Sequence, residues 1–370
     1  MNLKTIPLLK QYQRNLALKD SMLYPYLFLY QYVVLCLLSG ITLSCHPHGE
    51  SFPADNRCGA PGVRVYPATG WDSFFGTAEQ PLAAGNITGH IAGTDSKTYW
   101  LVNDARVNTL QGAVFVHNCL LVTDAQGTAQ VHYSPLTQQG LLPDPSADRW
   151  YTLDQGIEWE GKLELIVSLW QKTGTGDYDY KPVQTAVVRI NPQDISLESV
   201  RIVPTAENTR LGAALYRDGQ YTYAYATQAR GFSKDALLAR IPTGSLAQSW
   251  SYYNGYGWVS DPNLATPVLS NVSDYFSVFS HEGTLYLLTQ PSLAGAEVTL
   301  YRAFEPQGTW DFHHILYCRP PKDSLIATNT VVYQLADQGN TLRCTYSLAD
   351  RNLQTKTPAA PQFIDIDNWR

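Results

Sequence analysis

The sequence predicts an all-β protein, a five-bladed β-propeller with four-stranded antiparallel blades, on three observations. Charged residues make up only 16% of the chain, aromatics reach 12%, and 26 Gly and 22 Pro in 370 residues suit many short strands joined by turns. A strand, a tight polar turn and a more apolar strand recur five times, in "ITGHIAGTDSKTYWLVND", "QGIEWEGKLELIVSLW", "LGAALYRDGQYTYAYAT", "YFSVFSHEGTLYLLTQ" and "NTVVYQLADQGNTLRCTYSL". The turns fall near Ser96, Gly161, Gly219, Gly283 and Gly339, a period of about 60 residues. Further strand-like pieces such as "GAVFVHNCLLVTD" and "AQVHYSP" complete four strands per unit, and five such units make a propeller. A β-sandwich would not predict five similar hairpins at regular spacing.

Glu160-Gly161, Asp218-Gly219 and Glu282-Gly283 place glycine where a hairpin turn requires positive φ. Ahead of the propeller, Lys4, Lys10, Arg14 and Lys19 precede an uncharged stretch from Met22 that ends at Ser44-Cys45. Residues 1–45 therefore read as a lipoprotein signal peptide with Cys45 as the lipidated residue, the competing reading being a retained membrane anchor. Residues 46–65 read as a flexible tether and 66–370 as the propeller. The protein is expected to be exported and lipid-anchored in the cell envelope, at the outer membrane or cell surface.

The net charge of −6, with no Lys/Arg cluster, gives nucleic-acid binding no electrostatic basis. Cys58, Cys119, Cys318 and Cys344 form no C-x-x-C pair, so a structural zinc is not expected, and the sequence leaves disulfides and buried thiols open. His90 and His117, both in blade 1 near the expected mouth, read as packed or hydrogen-bonded core histidines rather than metal ligands, and no metal or cofactor is called for; a Ca²⁺ or Na⁺ ion at the channel stays open.

In a propeller the first strand of each blade lines the central channel, and hairpin partners return to the same mouth. Counting back from each turn gives Asn86, Asp154, Arg210, Asp274 and Asn329, with Asp104, Trp170, Tyr225 and Gln228 returning beside them. Asp104 is expected where the strand "YWLVN" ends at that mouth. Carboxylates, amides and aromatic faces converging there suit a polyhydroxylated ligand. Asp104 and Asp154 are the candidate acid/base pair for glycoside hydrolysis. Asn86, Asn118, Arg210, Tyr225, Asp274 and Trp170 are the candidate ligand contacts.

The successive signatures "GNITGHIAGTDSKTYWLVNDA", "FVHNCLLVTD", "RWYTLDQGIEWEGKLEL", "RLGAALYRDGQYTYAYA", "ALLARIP" and "YYNGYGWVSDP" resemble those of a five-bladed propeller family of Bacteroides-type lipoproteins. That family is similar to endo-D-arabinofuranases and, more distantly, to glycoside hydrolase family 43. The resemblance implies a surface glycosidase acting on a polysaccharide or oligosaccharide, with polysaccharide-utilisation partners and a site residue at Asp104. It also places Asn86 where the family carries an aspartate. An amide cannot take up a proton as a carboxylate does. Two alternatives to the enzyme therefore stay open, a glycan-binding protein on a degenerate site and an envelope interaction platform.

Overall fold

The computed structural model describes residues 58–68, 75, 80–134, 139–176, 179–230, 233–290, 297–318, 325–350 and 361–370. Strand β1 (Arg64–Pro67) comes first in the chain but belongs to the last blade. Blade 1 comprises β2 (Leu82–Ala92), β3 (Thr98–Thr109), β4 (Gly112–Thr123) and β5 (Ala129–His132). Blade 2 comprises β6 (Arg149–Trp159), β7 (Lys162–Lys172), β8 (Tyr180–Asn191) and β9 (Ser196–Val203). Blade 3 holds β10 (Thr209–Arg217), β11 (Tyr221–Arg230), β12 (Ser233–Pro242) and β13 (Ser251–Tyr253), extended by the short β14 (Trp258–Val259) and β15 (Leu269–Ser270). Blade 4 is β16 (Ser277–His281), β17 (Thr284–Thr289), β18 (Glu297–Ala303) and β19 (Asp311–Cys318). Blade 5 runs β20 (Leu325–Ala336), β21 (Thr341–Asp350), β22 (Gln362–Asp367) and then β1.

The inner strands β2, β6, β10, β16 and β20 touch in sequence and back to the first, which closes five antiparallel blades into a ring. The expected five-bladed propeller is thus the fold, with blade 3 enlarged beyond four strands. Its core is divided among the seams. Five apolar clusters each join two neighbouring blades. The period-2 geometry of a strand explains how one strand serves two of them. On β3, Tyr99 and Leu101 face the blade 1–2 seam while Trp100 and Val102 face the seam with blade 5. Burial on both faces makes such strands read as continuous apolar runs.

The turns divide by chemistry. Glu160-Gly161 and Glu282-Gly283 both place two successive residues at positive φ, the type I′ geometry that hairpin twist favours. Asp218-Gly219 does not: Gly219 lacks positive φ, and the Asp218 carboxylate instead accepts the Gln220 and Tyr221 amides at 2.7 and 2.6 Å.

Residues 58–65, expected to be tether, belong to the folded region. Cys58 is disulfide-bonded to Cys318, Ala60 N–H donates to Ile315 O, and Val63 and Val65 are buried in the seam between blades 4 and 5. Strand β1 pairs antiparallel with β22, so the last blade is built from both ends of the folded region. Cys119 and Cys344 are buried free thiols whose pKa values burial pushes up. Residues 1–57, with Cys45 and the expected signal segment, lie outside the described residues.

Trp369 pins this closure. Its fully buried indole donates to Gly339 O at 2.8 Å and packs edge-on against Tyr286 and Phe279 of blade 4. Trp369→Ala should cost about 3–5 kcal/mol of stability in urea unfolding, through lost burial and a cavity at the closing seam. A change within experimental error would show that the seam does not depend on it.

Candidate functional site

Antiparallel pairing brings the starts of β6, β10 and β12 and the ends of β7 and β11 to one mouth of the ring. Arg210, on β10, is its centre. The guanidinium is buried, with Nη1 3.5 Å from Asp154 Oδ1, and Nη2 3.4 Å from Thr227 Oγ1 and 3.8 Å from Asp274 Oδ1. Nη2 also donates to the Asp274 carbonyl, and the Tyr275 ring lies beneath the guanidinium at 3.9 Å. Gly212, at φ +95°, lets β10 pass this close: a Cβ there would meet Asp154 Cβ at 2.9 Å. One arginine thereby joins blades 2 and 3 to the segment leading into blade 4.

Asp154 is fully buried and receives four donors. Thr152 Oγ1 at 3.2 Å, Tyr275 OH at 2.8 Å and Arg210 reach Oδ1, and Ser168 Oγ at 2.5 Å reaches Oδ2. Burial pushes its pKa up to about 6 against the pull of Arg210, Ser168, Tyr275 and Thr152. Asp274 goes the other way. Burial would raise it, but the contacting Lys234 ammonium and Arg210 hold it below the usual carboxylate range. Lys234 sits at the start of β12, a third-strand position that counting along first and second strands alone does not reach.

Asp104 lies apart from this network. It does not end its strand, because β3 continues to Thr109; it is a bulge inside β3 at φ +47°, where the β2 register shifts between Ala84 and Asn86. The bulge turns a half-exposed carboxylate toward His117 on β4, with Nδ1···Oδ1 at 3.3 Å. His117 Nε2 is 3.9 Å from Asp144 Oδ2, and its ring stacks on Trp150 at 5.1 Å and 20°. Burial first, and then the charge of Asp104, raises the Asp144 pKa against the pull of His117. Phe115 stands edge-on to His117 at 5.0 Å, and Tyr180 stands edge-on to both Trp150 and Trp170. His117 is thus a half-buried, hydrogen-bonded mouth residue; His90 is half-buried among aromatics, and desolvation lowers its pKa to about 4.

The remaining candidates divide between mouth and framework. Trp170 Nε1 donates to Thr152 Oγ1 at 2.9 Å, continuing the chain of bonds that ends on Asp154. Asn86 is half-buried opposite Asn103, and Asn329 takes φ +56° on β20. Asn118 is buried, spending its amide on Leu142 O, Tyr151 O and Leu142 N–H, so it fastens the loop before blade 2. Tyr225 is buried in the seam between blades 3 and 4 with its hydroxyl on Pro306 O. Neither has a polar side-chain group turned to the mouth. No side chain among the described residues bonds to both Asp104 and Asp154. Nor, among the described residues, is any group of three or more His, Cys, Asp or Glu placed to hold a metal ion.

Residues 69–369 match the family described as a domain of unknown function (DUF5005), and the chain belongs to that family. No curated protein sequence matches it. Among solved structures, a Bacteroides ovatus protein provisionally named a hydrolase shares the fold, with a TM-score of 0.68 at 15% identity over 84% of this chain and 94% of its own. A family 43 β-xylosidase/α-arabinofuranosidase from a compost metagenome, in complex with xylotriose, aligns at TM-score 0.48 and 11% identity over 76% of this chain and 90% of its own. An α-L-arabinofuranosidase from Podospora anserina, in complex with cellotriose, aligns at 0.48 and 10% over 78% and 92%.

The raised pKa of Asp154 has a direction in stability. Its folded value of about 6 lies above the free side chain's 3.8, so its contribution is fully present below about pH 4 and is lost as pH rises through about 6. Urea unfolding from pH 4 to 7 should show this decline in the wild type and not in Asp154→Asn. Matching profiles would mean that Asp154 titrates in the ordinary range.

Proposed function

We propose that this DUF5005 protein is a glycosidase-like propeller that binds a glycan at the mouth, with Asp104 and Trp150 as principal contacts. The observation that carries this reading is the juxtaposition of the half-exposed Asp104 carboxylate, held by His117, with the indole on which His117 stacks. Sugars offer hydroxyls to a carboxylate and apolar ring faces to an aromatic, and Phe115 and Tyr180 add partly exposed rings alongside. The resemblance of the sequence signatures to glycosidase-type propellers supports the same ligand class.

The sealing of Asp154 favours binding over hydrolysis by an Asp104–Asp154 pair. Asp154 has no exposure and is held by four protein donors, so in this structure it is closed to a glycosidic oxygen. A hydrolytic reading is favoured by a different group, Asp144. Its raised pKa and its place across His117 from Asp104 suit a proton donor beside a base. We propose further that the protein is a lipoprotein anchored through Cys45 at the cell envelope; a Cys45→Ala chain that still fractionates with membranes would contradict this.

A panel of plant, host and bacterial polysaccharides, read by thermal shift and product release together, tests the mouth. The binding reading predicts stabilisation by at least one glycan without product, weakened about tenfold or more by Asp104→Asn or Trp150→Ala. Product that is lost in both Asp144→Asn and Asp104→Asn would establish hydrolysis through this pair. Binding that neither Asp104→Asn nor Trp150→Ala alters would remove the mouth from the account.

A further inference from the structure

A cavity of about 430 Å³ opens on the face opposite the mouth, between blades 3 and 4. Its lining includes Asp218 from the β10–β11 turn, Gly283 from the β16–β17 turn and the stretch from Phe304 to Gln307 that joins β18 to β19. All three connections lie at the strand ends away from Arg210.

Tyr216 and Tyr223 form one wall, their rings 6.1 Å apart and 28° from parallel. Phe304 stands at the rim 88% exposed, a large apolar ring left in water. The charged groups of the lining are all acceptors, set beside the hydroxyls of Tyr216, Tyr223 and Ser280. Asp218 and Glu305 supply two carboxylates, and Gln307 spends its Nε2 on Glu305 at 2.8 Å, which leaves its Oε1 buried without a partner among the described residues. No Lys, Arg or His is among the lining residues. The neighbouring Arg240 is committed between the rings of Tyr221 and Trp258, at 4.1 and 4.0 Å, and to the Tyr223 hydroxyl.

Two carboxylates, an unpaired amide oxygen and three aromatic faces call for a ligand with positive charge and several N–H donors. A neutral sugar would meet the rings but leave both carboxylate charges uncompensated. We propose that this cavity binds an alkylammonium group, from a small free amine or from the end of a lysine side chain. The site is separate from the mouth and does not rest on the glycan reading.

Calorimetric titration of the full chain at low salt, with spermidine and with N-acetyl-lysine methylamide, tests the proposal against a neutral hexose. Binding of either amine supports it, and which one binds identifies the source. Phe304→Ala and Glu305→Gln, both at exposed positions that folding does not depend on, should each weaken the amine about tenfold, while Asp104→Asn leaves it unchanged. No heat from either amine, equal binding of the hexose, or amine binding that both cavity variants leave intact would overturn it.

Discussion

A guanidinium buried at the centre of a protein must be paired, and Arg210 imposes that requirement on three blades at once. Desolvating its charge costs several kcal/mol unless carboxylates and hydrogen bonds compensate, and the chain supplies Asp154 from blade 2 and Asp274 from the approach to blade 4. Tyr275 contributes twice, through its ring beneath the guanidinium and its hydroxyl on Asp154. Removing either carboxylate would leave a buried cation short of a partner. Both are therefore committed to holding the ring together before any ligand is considered.

The seam between blades 1 and 2 solves the same problem without charge. Asn103 is buried and exchanges two hydrogen bonds with the Leu153 backbone, while Thr88 and Gln155 bond across the same gap. Amide pairing needs no counter-ion, and Asn86 on the neighbouring inner strand is likewise uncharged. Asp104 and Asp144 lie outside this amide pairing, grouped around His117. Ionic closure of blades 2 to 4 and amide closure of blades 1 and 2 thus commit Asp154, Arg210, Asp274 and Asn103 to the framework.

The five blades and most of their turns are legible in the sequence, and the individual side-chain pairings across them are not. Glu160-Gly161 and Glu282-Gly283 announce their turns because a two-residue hairpin loop needs left-handed φ, which glycine supplies at no steric cost. Asp218-Gly219 is likewise an acid followed by glycine, but its aspartate caps a longer turn, a difference that only the backbone reveals. The four-residue β1 is short, and nothing local marks its pairing with β22 about 300 residues away, so the shared last blade is not legible in the sequence. The convergence of Asp154, Arg210 and Asp274 followed from antiparallel geometry. The saturation of Asp154 did not, since Ser168 and Tyr275 reach it from other strands and segments. Asp104 looked like the end of a strand because a bulge is a mismatch between two strands and leaves no mark on one.

The account turns on which carboxylates a glycan can touch. The most direct measurement is a crystal structure of the protein with an oligosaccharide selected by thermal shift. Sugar density over Trp150, with a hydroxyl bonded to Asp104 and the Asp154–Arg210 pair intact, is the predicted result. Sugar bonded to Asp154 with Arg210 displaced would contradict it, because Asp154 would then be a working group of the mouth and not part of its framework.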